Sequence, residues 1–476
     1  MQGAITLLEQ FTDDDADWLL TSGHQREVGQ GDAAIEAGKD SDELSIVVQG
    51  LFGVFADEVG TQLATVGPGE LLGEMAFVTG RPPTETVRAL ENSTVLAIPF
   101  ESLNERAEHA PDFSTRLHRS LAHLLGIRLR AANSRLRTQP QGDDVRHPPG
   151  WSRLSEPIER FKQAVFAANE EAANHGDEVP EATRDRIVEE FHSFSLLLNE
   201  VMTHDIDNDR IREEVAMRLQ HELLPYILMA DTAERFYTKP RGYAGDFLTL
   251  EMIYRNEPGG QNAVGRLIDH CFLDLSAARA VRHRRGLLTA EIDAAIASRS
   301  GETTRITSLA CGPAREVFDA FSQLDDTSGL HANLLDIDLQ ALAFVSDKAA
   351  SLHLDRQMSY VSENLIRLAL GRSESHIRDQ DLVYSIGLID YLGDDLVVRL
   401  MDLVHGMLRP GGRIILGNIH PRNSTRGLMD HVLDWRLVHR TEQDMDRLFE
   451  ASAFGGPSTN IRFEAEGINL FAECVR

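Results

Sequence analysis

The stretch Ser308–Val317 reads SLACGPAREV. Before it runs RITSLA (305–310), short, apolar and rich in β-formers. After it the residues Val317, Phe318 and Phe321 recur at helical spacing. A strand that turns sharply into a helix is therefore expected here. Gly312 suits a left-handed backbone, and Ala310 and Ala314 are small enough for a ligand to approach. Twenty-four residues beyond Gly312, the run ANLLDI brings Asp336 to the end of a second strand. A carboxylate there can accept both hydroxyls of a ribose. Pro313 removes an amide donor, and no Lys-Ser or Lys-Thr pair cradles a phosphate. The pattern favours a nucleoside cofactor without a phosphate over a dinucleotide; a small-residue turn with no ligand is the alternative.

Outward from this loop, strands alternate with helices: MSYVSE (358–363), LVYSIG (382–387) and GRIILGN (412–418). That alternation implies a parallel sheet covered on both faces. Upstream, from Pro157 to about Ile296, the periodicity is helical, as in Ile187, Phe191, Phe194 and Leu198, and it breaks at FYTKPRGYAGDF (236–247). From Arg26 to Pro99, period-2 segments punctuated by glycine predict an antiparallel barrel or jelly roll. Phe113, Leu117, Leu121, Leu124, Leu125 and Leu129 then mark one long amphipathic helix, whose stripe could pair two subunits in a homodimer or pack on its own barrel. Three prolines and two glycines between Thr138 and Trp151 mark a linker. The expected chain is multidomain: a barrel with its helix at 1–138, a linker at 139–152, an all-α cap or substrate region at 153–297, and an α/β Rossmann-like domain at 298–476.

A formal net charge of −28 over 476 residues disfavours a nucleic-acid partner, which needs a basic face. Cys271, Cys311 and Cys474 are too few and too scattered for a disulfide framework or metal knuckle, and no metal is expected. The acidic first residues lack a signal-peptide pattern and no apolar run is long enough to span a bilayer, so a cytoplasmic location is expected.

Five landmarks in order resemble the class I S-adenosylmethionine-dependent methyltransferases: LACGPA (309–314), the acid at 336, SYVSENLIRL (359–368), DLVYSIGLIDYL (381–392) and MLRPGGRIILGN (407–418). The resemblance implies S-adenosylmethionine as cofactor. It would lie against Ala310, Cys311 and Gly312, with Asp336 and Ile337 at the second strand, Glu363 and Asn364 at the third, and Ser385 and Gly387 at the fourth. The strings KPRGYAGD (239–246), AVRHRRGLL (280–288), GLIDYL (387–392) and the segment from Asn418 to Met445 resemble the bacterial 3-hydroxy fatty acid methyl ester synthases. His283 and Arg436 depart from that family's pattern.

A carboxylate is ionised at neutral pH, so methylating one needs alignment and an anion-holding group more than a base. Arg241 and Tyr243, then His420, Asn423 and Arg426, offer donors, while Asp390 and Tyr391 follow the fourth strand where contacts near the methyl fall. Arg241 could instead pair with Asp246, Trp435 and Leu433 could be core, and His283 a solvated helix face. The expected reaction is methyl-esterification of a small apolar carboxylic acid, a 3-hydroxy fatty acid by resemblance. Methylation of another metabolite at O or N, and a non-catalytic sensor, are the alternatives.

GELLGEMAFVTGRPPTETVRA (69–89) resembles the phosphate cassette of cyclic nucleotide-binding domains. Gly73–Glu74 keeps the pair that holds a ribose hydroxyl, but Pro83 stands where an arginine would hold the cyclic phosphate, and Glu85 adds a negative charge. Arg81 or Arg88 could compensate. A domain that kept the fold and lost the nucleotide is expected, with a cyclic nucleotide at the Glu74 region as the alternative.

Overall fold

The computed structural model describes residues 11–56, 61–68, 70–121, 150–241, 243–299 and 301–476. The chain divides into two compact units, Met1–Asp144 with Thr238–Ala244, and Val145–Tyr237 with Gly245–Arg476. The linker from Thr138 through residue 149, and Leu124, Leu125 and Leu129 of the long-helix stripe, lie outside the described residues.

The amino-terminal unit is the expected antiparallel barrel. Helix α1 (Asp13–Ser22) precedes strands β1 (His24–Val28), β2 (Ala33–Ile35), β3 (Glu43–Gln49), β4 (Phe52–Ala56), β5 (Thr61–Val66), β6 (Leu71–Leu72), β7 (Glu85–Ala89) and β8 (Ser93–Pro99). They form two four-stranded sheets, β1-β8-β3-β6 and β2-β7-β4-β5. Val28, Val47, Phe52, Val87 and Val95 fill the space within. A short helix α2 (Glu74–Thr79) interrupts the strands, and α3 (Phe100–His109) follows them. Residues 111–121 are helical, and Phe113, Leu117 and Leu121 are fully buried beside Leu44, Leu71 and Ile98 of the same barrel. Burial against the barrel is what gives these residues their spacing, so Leu117 and Leu121 offer nothing to a second subunit.

In the carboxyl-terminal unit, α4 (Trp151–Asn174), α5 (Glu181–Glu200), α6 (Asp209–Ile227), α7 (Asp231–Thr238), α8 (Phe247–Arg255), α9 (Ala263–Leu273) and α10 (Ser276–Ser298) precede the sheet. Leu154, Ile158, Phe161 and Val165 of α4 meet Ile187, Phe191, Phe194 and Leu198 of α5 in one apolar core. That core also contains Leu428, Val432 and Leu433, from beyond the last parallel strand. The helical region and the α/β region cluster as one compact unit, and the chain returns to the helical core after building its sheet.

The sheet contains β9 (Thr304–Leu309), β10 (Leu330–Asp336), β11 (Met358–Ser362), β12 (Gln380–Ile386), β13 (Leu408–Ile419), β14 (Asn460–Phe463) and β15 (Asn469–Val475), in the order β11-β10-β9-β12-β13-β15-β14. Strands β9 to β13 are parallel, and β15 runs antiparallel to both neighbours. Helices α10, α11 (Arg315–Ser322) and α12 (Leu339–Ser351) cover one face, through residues such as Leu288, Val317 and Val345. Helices α13 (Leu365–Ala369), α14 (Asp394–Met407) and α16 (Glu442–Ala451) cover the other, through Leu368, Leu400 and Phe449. The short α15 (Arg426–His431) joins the helical core. Successive connections leave β9 in opposite directions, toward β10 and later toward β12. In open sheets of this kind ligands bind outside the carboxyl ends of the strands at the switch point, here β9 and β12.

Candidate functional site

Strand β9 delivers the chain to that edge at Leu309, and five residues turn it into α11. Three of them have left-handed backbones: Ala310 (φ 53°), Gly312 (φ 52°) and Ala314 (φ 47°). For each alanine this costs roughly 1–2 kcal/mol, so the surroundings must hold the turn. Strand β10 does so. Leu335 O accepts the Cys311 N–H at 3.0 Å, and Asp336 Oδ2 accepts the Gly312 N–H at 2.9 Å. Cys311 is buried, which pushes its thiol well up and makes it a small filler rather than a nucleophile.

Asp336 is the hinge of the arrangement. Its second oxygen accepts the Asp338 N–H at 2.9 Å. Only 7% of the residue is exposed, and burial raises its carboxyl even against the amide donors. Two bonds leave about half of a carboxylate's acceptor capacity for a ligand's hydroxyls. Beside it Ile337 is 56% exposed, an apolar surface at the mouth of the crevice.

The other cofactor candidates reach the same edge with mixed duties. The Glu363 N–H is donated to Asp336 O at 3.2 Å, and its Oε1 accepts from Asn364 N and Ser373 Oγ. Asn364 caps α13, its Oδ1 accepting from Ile366 N and Arg367 N. Ser385 is buried and donates to Leu309 O at 2.9 Å, pinning β12 to β9 beneath the loop. Gly387 (φ 92°) is packed by an arginine; a Cβ there would meet Arg284 Nη1 at 3.3 Å.

Helix α8 closes over the loop. A Cβ on Gly312 would lie 3.4 Å from Leu250, and buried Glu251 grips Arg315 with both oxygens, one bond at 2.8 Å. Asp246 caps α8, accepting from Leu248 N and Thr249 N, and takes Arg235 Nη2 at 2.6 Å.

Past β12, Asp390 is buried and accepts the Ile419 N–H at 2.7 Å. Burial pushes its carboxyl up to about 6, against the pull of the amide, Arg284 and Arg440. Tyr391, 39% exposed, accepts the Trp435 indole N–H at 2.9 Å. The absent side chain of Gly245 makes room for this pair, since a Cβ would sit 3.0 Å from the Tyr391 hydroxyl and 3.2 Å from the Trp435 ring. Phe236 stacks edge-on with Trp435, centroids 5.0 Å apart. Tyr391, Trp435 and Phe236 thus form an apolar wall with one polar tip.

His420 and Asn423 serve their own loop. His420 Nδ1 accepts the Arg422 N–H at 3.0 Å, which leaves Nε2 to donate to Glu442 at 3.0 Å. Asn423 Oδ1 takes both Thr425 N and Thr425 Oγ1. Arg426 pairs with Asp430 one turn along α15. His283 faces Glu464 and Glu466 at 3.8 and 3.6 Å on a half-exposed helix surface. Arg241 and Tyr243, both half-buried, belong to the segment that groups with the amino-terminal unit.

Two buried arginines escaped the sequence reading. Arg440 is 2% exposed and fully engaged, donating to Ile389 O, Leu392 O, Asn418 Oδ1 and Asp394 Oδ1, which frames the Asp390–Tyr391 turn. Arg284 is 5% exposed and its Nε has no hydrogen-bond partner. The signal for it was present: Ala280, Arg284, Leu288 and Ile292 recur every four residues, and the other three are buried apolar residues.

In the barrel, Gly73 (φ 86°) precedes α2, and a Cβ there would lie 2.6 Å from Glu43 O, so only glycine fits. Glu74 is buried. Pro83 contributes a carbonyl to Gly38 N at 2.8 Å, while Arg81 and Arg88 are exposed. Among the described residues no three metal-ligating side chains cluster, and no helix is long and apolar enough to cross a membrane.

Residues 25–109 match the family described as "Cyclic nucleotide-binding domain", and residues 242–468 the family described as "Putative methyltransferase". The two matches fall on separate parts of the chain, one toward its amino end and one toward its carboxyl end. Among curated proteins, "Uncharacterized protein YnbC" of Escherichia coli is 36% identical over 76 residues, 16% of this chain and 13% of that one. "Uncharacterized NTE family protein Rv2565" of Mycobacterium tuberculosis is 26% identical over 121 residues, 25% of this chain and 21% of that one. The chain thus spans less than a quarter of either relative. Solved structures that are similar include "a possible exported protein" from Bordetella parapertussis (17% identity, 71% of this chain, 99% of that one, TM-score 0.38). A cyclic nucleotide-binding domain from Methylobacillus flagellatus is another (19% identity, 30% of this chain, 86% of that one, TM-score 0.27).

Proposed function

We propose that the carboxyl-terminal unit is an S-adenosylmethionine-dependent methyltransferase that methyl-esterifies a small apolar carboxylic acid, with 3-hydroxy fatty acids as the substrate class. The observation that carries this reading is the Ala310–Ala314 loop, held in a left-handed path by Asp336 at the switch point of the sheet, within the region that matches a methyltransferase family. The residues present suit the cofactor. Asp336 keeps acceptor capacity for two ribose hydroxyls, and Ile337 offers an apolar face to a purine. Glu363 and the Asn364 amide stand at the neighbouring strand end.

The cofactor, when bound, supplies an electrophilic methyl group on a sulfonium. The protein's task is then alignment and exclusion of water, because the acid arrives ionised. Tyr391, Trp435 and Phe236 give an apolar wall for an acyl chain, and Tyr391 gives it a polar tip. Asp390 is proposed to act by shaping the turn that presents Tyr391. His420, Asn423 and Arg426, committed to partners of their own, are proposed to order the segment after β13. The reading rests on the carboxyl-terminal unit alone, and Arg241 and Tyr243 carry no part of it.

For the barrel, we propose that the nucleotide-binding fold is retained without the cyclic phosphate contact, since Pro83 brings no charge and Arg81 and Arg88 are exposed. The test for the enzyme is transfer of labelled methyl from S-adenosylmethionine to a panel of fatty and 3-hydroxy fatty acids. Base-labile, organic-extractable label is expected. Base-stable label on another metabolite would replace the ester reading, and cofactor binding without turnover on any acceptor would favour a sensor.

A further inference from the structure

The two buried arginines of this unit differ in one respect that matters. Every branch of the Arg440 guanidinium is partnered by protein oxygens, whereas Arg284 Nε has none, and no carboxylate among the described residues forms an ion pair with Arg284. Tyr254 is a polar neighbour. The acids that face it are engaged elsewhere: Glu316 accepts the Tyr384 hydroxyl at 2.9 Å, and Asp390 accepts the Ile419 N–H at 2.7 Å. A guanidinium that is almost wholly buried and unpaired is costly, and proteins rarely retain one without a counter-ion. Its location says where that counter-ion goes. The planar group packs over Gly387 at the carboxyl end of β12, 3.3 Å from where a side chain would begin, and the left-handed φ of 92° restricts that position to glycine.

We infer that Arg284 receives the carboxylate of a ligand at the β9–β12 edge. A guanidinium fork matches a carboxylate in shape as well as charge, and its strength is greatest where water is excluded. The inference rests on the proposed reading of this edge as a methyltransferase site. That reading offers two carboxylates of the same chemistry: the amino-acid end of the cofactor and the acid to be methylated. Arg284 is a specificity-determining residue in either case, because a ligand lacking the carboxylate leaves the buried charge unpaired.

The test uses the full chain and Arg284→Met, which keeps most of the volume and removes the charge. Binding of S-adenosylhomocysteine, of 5′-methylthioadenosine, which lacks the amino-acid carboxylate, and of 3-hydroxydodecanoate is measured by calorimetry. Losing the charge-assisted bonds should weaken the relevant ligand roughly 10- to 100-fold. Loss for S-adenosylhomocysteine with 5′-methylthioadenosine unchanged assigns the cofactor's carboxylate. Loss for the hydroxy acid with both adenosyl compounds unchanged assigns the substrate's. The melting temperature of the ligand-free variant should equal or exceed that of the wild type, because an unpaired buried charge has been removed. A lowered melting temperature, or unchanged affinity for every ligand that the wild type binds, overturns the inference. Failure of the wild type to bind either adenosyl compound would count against the cofactor reading instead, and the melting comparison would still decide whether Arg284 is unpaired.

Discussion

Both units place a left-handed residue directly before a helix, Gly73 ahead of α2 and Ala314 ahead of α11, and the two turns have had different fates. In the barrel the backbone constraint is intact: the Glu43 carbonyl leaves no room for a side chain at Gly73. Beyond it Pro83 brings no charge, and Arg81 and Arg88 are exposed. In the α/β unit Ala310 and Ala314 take the left-handed backbone at a cost in strain, and polar groups stand by the edge: Asp336 at the base of the turn and Arg284 beside Gly387. Backbone geometry and ligand chemistry are therefore set by different residues. Glycine reports the first, and the unpaired or half-satisfied polar group reports the second.

The largest effect should come from Asp336→Ala. It removes the anchor of the Gly312 amide together with the proposed ribose contacts, and S-adenosylhomocysteine affinity should fall roughly 100-fold or more. Near-normal affinity in a calorimetric titration would remove this turn's claim to a ligand.

Next in size is Asp390. Its folded carboxyl, at about 6, is raised above the unfolded range, so the fold binds the proton more tightly than the unfolded chain does. The group therefore costs stability as pH rises from about 4 to about 6, by about 3 kcal/mol in total. Asp390→Asn keeps an oxygen for Ile419 N and should flatten that slope, with slower hydrogen exchange in β12 and β13 at pH 8. A slope unchanged in the variant would mean that Asp390 is not the titrating group.

Gly73→Ala sharpens the comparison from the other side. A Cβ held 2.6 Å from Glu43 O on a positive-φ backbone should destabilise the barrel by about 2 kcal/mol, seen as faster exchange in β3 and β6 of the full chain. The smallest effect is expected for Ala314→Gly. Relief of the left-handed strain should exceed the entropy cost of glycine by less than about 1 kcal/mol, raising the melting temperature slightly. A clear loss of stability there would show that the alanine methyl packs better than its backbone suggests.

How far the sequence announced all this depends on the kind of feature. The strands at 305, 332, 358, 382 and 412 were legible because parallel strands buried on both faces are continuous apolar runs. The antiparallel pair β14–β15 was not, since NIRF and NLFAECV carry charges that pair only in three dimensions, Glu473 with Arg413 and Arg462. At 297 the periodicity changes, and Leu428 and Val432 return to the helices long after the sheet has begun. Residue type alone suggested donors at His420 and Asn423; in the structure His420 Nε2 faces Glu442 and Asn423 Nδ2 faces Met429 Sδ. Arg284 sat unread inside RHRR, where charge concealed its place in the Ala280–Leu288–Ile292 stripe.

One measurement tests the central claim that the crevice of the α/β sheet, and not the barrel cassette, holds an adenosyl ligand. It is hydrogen–deuterium exchange of the full chain with and without S-adenosylhomocysteine. The account predicts protection in the segments 309–317, 334–340 and 384–391, with no change across 69–89. Protection confined to 69–89, or no protection in the α/β segments at saturating ligand, would contradict it.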